Sequence, residues 1–152
     1  MATTTRVDFA FDADHRVQQA ARSILRHVAR GSRLFVYCDD PERTNQIDQA
    51  LWTASDTSFV PHERLLQEGA SELPVYLVDQ AAWPLVAMRA REPDWLVNLD
   101  DQCPPEPTLF TRVLEIVSSD PSDRQQARDR WRQYQAMGLE LHGHQLDQRA
   151  AR

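Results

Sequence analysis

Lysine is missing from this 152-residue chain: all 17 basic residues are Arg, and 23 Asp and Glu bring the net charge to −6. Without Lys there is no Walker A loop, whose glycines must be followed by a Lys at the phosphates, and no Schiff-base chemistry. Glycine is scarce, and Gly31, Gly69, Gly138 and Gly143 are too scattered for a GxGxxG dinucleotide loop. A global basic field for gripping a nucleic-acid backbone is absent as well. The two cysteines, Cys38 and Cys103, lie far apart without CxxC spacing, so neither a disulfide framework nor a structural zinc site is expected, and a reducing cytoplasm is the expected compartment. The first residues, MATTTRVDFAFD, lack a charged-then-apolar leader, and no apolar run approaches the roughly 20 residues that cross a bilayer. A soluble, intracellular protein is expected.

The charge that is present is unevenly placed. Residues 1–120 hold 11 Arg against 19 acids, a net of −8, whereas 121–152 hold 6 Arg against 4 acids, a net of +2. The length suits one compact domain, expected over 1–138, with 139–152 as a partly frayed tail.

Hydrophobic periodicity alternates between two types. Arg6 to Phe11 places Val7, Phe9 and Phe11 on one side, as in a strand; Asp14 is then expected to cap a helix with Val17, Ala21, Ile24 and Val28 inward and Gly31 just past its end. RLFVYC (33–38) reads as a strand covered on both faces, and Asp40-Pro41 as a helix start reaching about Trp52, with Ile47, Ala50 and Leu51 inward. LPVYLV (73–78), WLVNL (95–99) and RVLEIV (112–117) are further buried strands, with DDQCPPEP a loop and 80–93 of undecided type. Asp120-Pro121 repeats the helix start, and that helix is expected to reach about Met137 and stop at Gly138. Strand and helix in alternation are the mark of an α/β protein with a mostly parallel sheet.

Three groups of residues could carry function. On the last helix Arg124, Arg128, Trp131 and Arg132 fall on one face, so guanidinium groups stand beside an indole where a carboxylate or phosphate could meet an apolar group. The plainer reading is a solvated Arg face balanced by Asp123 and Asp129. If the site is real, an acidic peptide suits it better than DNA, which the acidic remainder would repel. Trp52, Phe59, Val60, Pro61 and His62 flank a polar loop, either as an exposed patch for a partner or folded back over the sheet. Asp39, Asp40 and Glu42 follow a strand end, where α/β enzymes place catalytic or Mg²⁺-binding groups, although helix capping explains acids in a first turn equally. His142 and His144 form an H-x-H pair with no further ligand in view, and Cys38 reads as a buried small hydrophobe.

Three blocks, in order, resemble the chi subunit of bacterial DNA polymerase III holoenzyme. IDQALWTASDTSFVPHERL is similar to that family's ALW, short gap and SFxPH; DWLVNLDDQCPPEPTLFTRVLEIV to its strand, Pro-containing loop and RVxEIV strand; and DRQQARDRWRQYQAMGLEL to its ARxRYRxYRxxG helix. The resemblance implies a single three-layer α/β domain, Rossmann-like without a phosphate loop, with helices on both faces of a largely parallel sheet. It implies a non-catalytic adaptor that needs no cofactor or metal, pairs with the small psi subunit of the clamp loader, and binds the acidic tail, ending in Pro-Phe, of the single-stranded-DNA-binding protein. DNA would be met only indirectly and a membrane not at all. The tail-binding positions would be Arg124, Arg128, Trp131 and Arg132, with Gly138 and Leu139 flanking the Phe ring; the family often has Tyr and Lys at 131 and 132. The psi-binding positions would be Trp52, Phe59 and Pro61, a surface shared in the family with an iron–sulfur helicase. The competing class is a small metal-dependent nucleotide- or phosphate-handling enzyme using Asp39 and Asp40.

Overall fold

A computed structural model describes residues 4–53, 60–66 and 72–146. Its elements are β1 (Arg6–Ala13), α1 (Arg16–Ala29), β2 (Leu34–Tyr37), α2 (Pro41–Thr53), β3 (His62–Arg64), β4 (Val75–Val78), α3 (Trp83–Arg89), β5 (Trp95–Asn98), a 3-10 turn (Pro107–Leu109), β6 (Arg112–Ser118), α4 (Pro121–Ala136) and β7 (Glu140–Gln145). The seven strands form one sheet in the order β3-β4-β2-β5-β6-β1-β7. Every pairing is parallel. The chain moves outward from β1 to β3 and then returns across the sheet to β7, and right-handed crossovers require helices to change faces when the direction reverses. Accordingly Val17, Ala21, Ile24, Ile47 and Leu51 from α1 and α2 close one core, and Trp83, Val86, Ala127 and Tyr134 from α3 and α4 close the other. The central strands are buried on both sides, which is why they read as unbroken apolar runs.

The helix ends follow local chemistry. Asp120 caps α4 through Oδ1, which accepts Ser122 N at 2.9 Å, and Pro121 occupies the first turn, where no N–H is needed. Gly138 ends α4 at φ +77° and Gly31 follows α1 at φ +92°, both in the left-handed region that favours glycine. At the start of α1 the expectation is corrected: His15, in extended backbone at φ −146°, is the cap, and its Nδ1 accepts Gln18 N at 3.5 Å.

Three elements depart from the sequence reading. Residues 83–89 are helical because Pro84 falls in the first turn, where a proline starts a helix instead of breaking it. His62–Arg64 adds a three-residue strand to β4. Residues 140–145 do not fray: they pair along β1 from Arg6↔Glu140 to Phe11↔Gln145 and form an edge of the sheet. Backbone pairing to β1 orders this polar stretch, which has too few apolar residues to show a strand period. An irregularity between Ala10 and Ala13, where Asp12 takes φ 67°, returns Ala13 to the α1 side after Phe9 and Phe11 have faced α4.

Candidate functional site

Between α4 and the β1–β7 edge lies an open groove of about 290 Å³, lined by Phe9, Phe11, Val117, Arg124, Ala127, Arg128, Trp131 and Gly143. The strand alternation supplies its floor: Phe9 and Phe11 project from β1 toward α4, and Val117 projects from β6. The Trp131 ring packs on Phe9 at 5.0 Å between centroids and forms one wall. Opposite it, Gly143 of β7 carries no side chain, and a Cβ there would stand 3.5 Å from the Phe11 ring. Arg124 and Arg128 stand on exposed positions of α4 and make no ion pair with the described residues. The result is an apolar slot with two unneutralised guanidinium groups at its rim, suited to a ligand that joins an apolar or aromatic group to carboxylates.

Of the six positions expected to form this site, three converge and three do not. Arg132 lies outside the groove lining, its side chain 71% exposed and 3.4 Å from Asp129 Oδ1. Gly138 ends the helix, and Leu139 packs against the core beneath α4. Arg132, at i+8, stands beyond the slot that i, i+4 and i+7 border.

Beneath the groove α4 is fastened by charge. Glu115, fully buried on β6, accepts Arg130 Nε at 3.1 and 3.2 Å, the Tyr134 hydroxyl at 2.7 Å and Asn98 Nδ2 at 2.8 Å. Arg130 Nη1 also donates to the Asp101 carbonyl at 3.0 Å. Burial opposes the charge on Arg130, but the Glu115 carboxylate prevails and raises its pKa. Tyr134 is pushed well upward by burial and by Glu115, so its proton stays on the hydroxyl and donates. These residues occupy the turn of α4 facing the sheet and thereby set the angle at which Arg124, Arg128 and Trp131 leave the helix.

The second predicted surface lies across the molecule. Trp52, at the end of α2, is 51% exposed and packs on the His62 ring at 5.0 Å. His62 is itself held by Asp48 Oδ1 at 2.7 Å and the Val60 carbonyl at 2.6 Å, and Pro61 between them is exposed. Phe59 lies outside the described residues. Val60 is buried in the core, whereas Pro61 beside it is exposed.

These two surfaces fall within one family match. A family model described as "DNA polymerase III chi subunit, HolC" matches residues 4–142, from β1 into β7. The chain belongs to the chi-subunit family of DNA polymerase III. Curated relatives named DNA polymerase III subunit chi agree. The Pseudomonas aeruginosa protein is 33% identical over 146 residues, covering 93% of this chain and 97% of its own. The Escherichia coli protein is 32% identical over 73% of this chain and 72% of its own, and the Haemophilus influenzae protein 27% identical over 82% and 84%.

Within this chi-family chain the remaining candidates have structural work. Asp40 Oδ1 accepts Glu42 N at 3.0 Å and so caps the start of α2, whereas Asp39 Oδ1 accepts Gln80 N at 3.0 Å and ties the end of β2 to the residues after β4. Among the described residues no three His, Cys, Asp or Glu side chains are grouped as metal ligands. Cys38 is buried, and burial raises its pKa; burial likewise pushes Cys103 to about 11. A larger cavity of about 790 Å³ between α1 and α2 is lined mostly by polar residues such as Gln18, Asn45, Gln46 and Gln49 and takes in Glu42 of the acidic group, without Asp39 or Asp40. No helix among the described residues is long and apolar enough to cross a membrane.

Phe9, Phe11, Val117, Ala127 and Gly143 are the groove residues that sequence reasoning did not assign to the site. Phe11 carries the signal that could have found it: an aromatic continuing the inward alternation of β1 yet 36% exposed. Gly143 had no such signal, because its role depends on β7 being a strand.

Proposed function

We propose that this chi-family chain is a non-catalytic replication adaptor. It takes the acidic C-terminal tail of a single-stranded-DNA-binding protein in the α4 groove and the psi subunit of the clamp loader on the surface around Trp52 and Pro61. The observation that carries the reading is the juxtaposition of an apolar slot with two unpaired arginines, Arg124 and Arg128, at its rim. A tail ending in Pro-Phe offers the matching parts: an aromatic ring for the slot between Trp131 and Phe11, and a terminal carboxylate with upstream aspartates for the guanidinium groups. Micromolar binding, about 8 kcal/mol, is the scale such a small groove supports, and salt should weaken it.

The test is a titration of a fluorescent acidic peptide ending in Pro-Phe. Arg128→Ala should weaken binding roughly tenfold, about 1.4 kcal/mol. A wild-type chain that ignores the peptide at low salt refutes the groove assignment. For the other face, Trp52→Ala should reduce recovery of psi in a pull-down, and unchanged recovery removes that surface from the interface.

A further inference from the structure

The face of β1 that turns away from the groove carries a second cluster of charge. Arg6 and Arg112 are register partners on β1 and β6, and Trp95 on β5 is the next residue in that row. One step along, the buried carboxylate of Asp8 accepts the Nε of Arg6 at 3.0 Å and the Nε of Arg112, and its Oδ1 lies 3.0 Å from His144 Nε2. Burial alone would raise the pKa of Asp8, but hydrogen bonds from His144, Arg112 and Arg6 hold it below the usual carboxylate range, so it stays ionised as an internal anchor.

That anchor occupies the Nε edges of both arginines and leaves their Nη edges without a described partner. The side chains are 39% and 34% exposed. The Arg112 guanidinium lies 4.4 Å from the Trp95 ring centroid, and the His27 ring packs on the same indole at 4.6 Å. His27 belongs to the last turn of α1 with exposed Arg26 and Arg30 beside it. Burial first, and then the charges of Arg26, Arg112 and Arg30, push His27 down to about 4. His142 adds a buried Nε2 with no hydrogen-bond partner, 3.6 Å from Glu140 on the border of the face.

We infer that this face, built from Arg6, Arg112, Trp95, Arg26 and Arg30, binds the phosphodiester backbone of single-stranded nucleic acid. Two guanidinium edges held in place by a buried carboxylate suit phosphate oxygens bidentately, and exposed Arg26 and Arg30 at the end of α1 extend them into a run of cations that a phosphodiester backbone can follow. The acidic body of the chain opposes any polyanion, so the binding is weak and steep in salt. The inference rests on the Arg6–Arg112–Trp95 row and the end of α1, and stands or falls independently of the groove on the other side.

The probe is a fluorescein-labelled oligothymidylate titrated with the whole chain by anisotropy. Binding is expected at 50 mM salt and should weaken roughly 7- to 50-fold at 200 mM, for two to four phosphate contacts on a single strand. Arg6→Gln with Arg112→Gln should weaken it at least tenfold. Because those changes expose the Asp8 anchor to loss of partners, Arg26→Glu with Arg30→Glu, both on exposed helix positions, is the second variant and should weaken it at least fivefold with unchanged thermal stability. Arg128→Ala should leave it unchanged. The inference is overturned by no binding at 50 mM salt, by binding that Arg128→Ala abolishes, by Arg26→Glu/Arg30→Glu binding as wild type, or by an unphosphorylated Asp/Glu peptide displacing the oligonucleotide at equal charge concentration.

Discussion

Glu115→Gln tests whether the charged anchor under α4 holds the groove in place. The substitution keeps the shape of the side chain and removes its charge, yet the site cannot accept an amide. Arg130 Nε, the Tyr134 hydroxyl and Asn98 Nδ2 all donate toward the two oxygens of Glu115, and Arg16 Nη2 stands 3.9 Å away. A glutamine presents one acceptor oxygen and an NH₂ that faces donors, while Arg130, fully buried and still charged, loses the carboxylate that compensates it. Breaking a buried pair by removing one partner costs about 3–5 kcal/mol, against a total stability of about 5–15 kcal/mol for an ordinary domain. With a urea slope of about 2 kcal/mol/M, the unfolding midpoint should fall by roughly 1.5–2.5 M. Paired Glu115→Met and Arg130→Met should cost less than the sum of the two single changes, because the uncompensated charge is gone. A midpoint within about 0.5 M of wild type for Glu115→Gln, roughly 1 kcal/mol, would refute the reading that the ion pair fastens this helix.

Three other outcomes separate the alternatives. Gly143→Leu should weaken binding of the Pro-Phe peptide at least tenfold, because its side chain would enter the groove opposite Trp131, with a thermal midpoint close to wild type since position 143 is exposed; anisotropy and a melting curve check both. Arg132→Ala should change peptide affinity less than threefold, against tenfold for Arg128→Ala, because Arg132 stands outside the groove beside Asp129. Stability should fall as pH drops from 6.5 toward 4: His27 is held near 4 in the folded chain and returns to about 6.5 unfolded, so the unfolded state binds the extra proton in that window and stability rises with pH there. The difference amounts to about 3 kcal/mol at most, and His27→Gln should flatten urea-derived stability across that window.

The parallel sheet and three of its helices were legible because each is dictated locally: continuous apolar strands, Asp-Pro helix starts at 40–41 and 120–121, and glycines just past two helix ends. What the residues hid depends on partners distant in sequence. β7 has no period of its own and becomes a strand by pairing with β1. α3 was masked by Pro84, whose meaning changes with its position in the helix. The groove was half legible: periodicity put Arg124, Arg128 and Trp131 together, but the floor that makes them a site comes from β1 and β7. Periodicity also put Arg132 on that face and the resemblance to the chi family added Gly138 and Leu139, and none of the three lines the groove.

One strand serves both surfaces, and its alternation explains how they remain separate. Successive side chains of β1 point to opposite faces, so Phe9 and Phe11 floor the groove while Arg6 and Asp8 organise the charged face behind it. β1 is pinned on both sides by backbone pairing, to β6 and to β7, which leaves it no room to transmit a shift from one face to the other. Peptide in the groove and nucleic acid on the far face should therefore bind additively, each leaving the other's affinity within about twofold, a coupling of less than about 0.5 kcal/mol. Measured competition between the two probes would mean that both anions use the same arginines, and the Arg128→Ala and Arg26→Glu/Arg30→Glu variants would show which face they share.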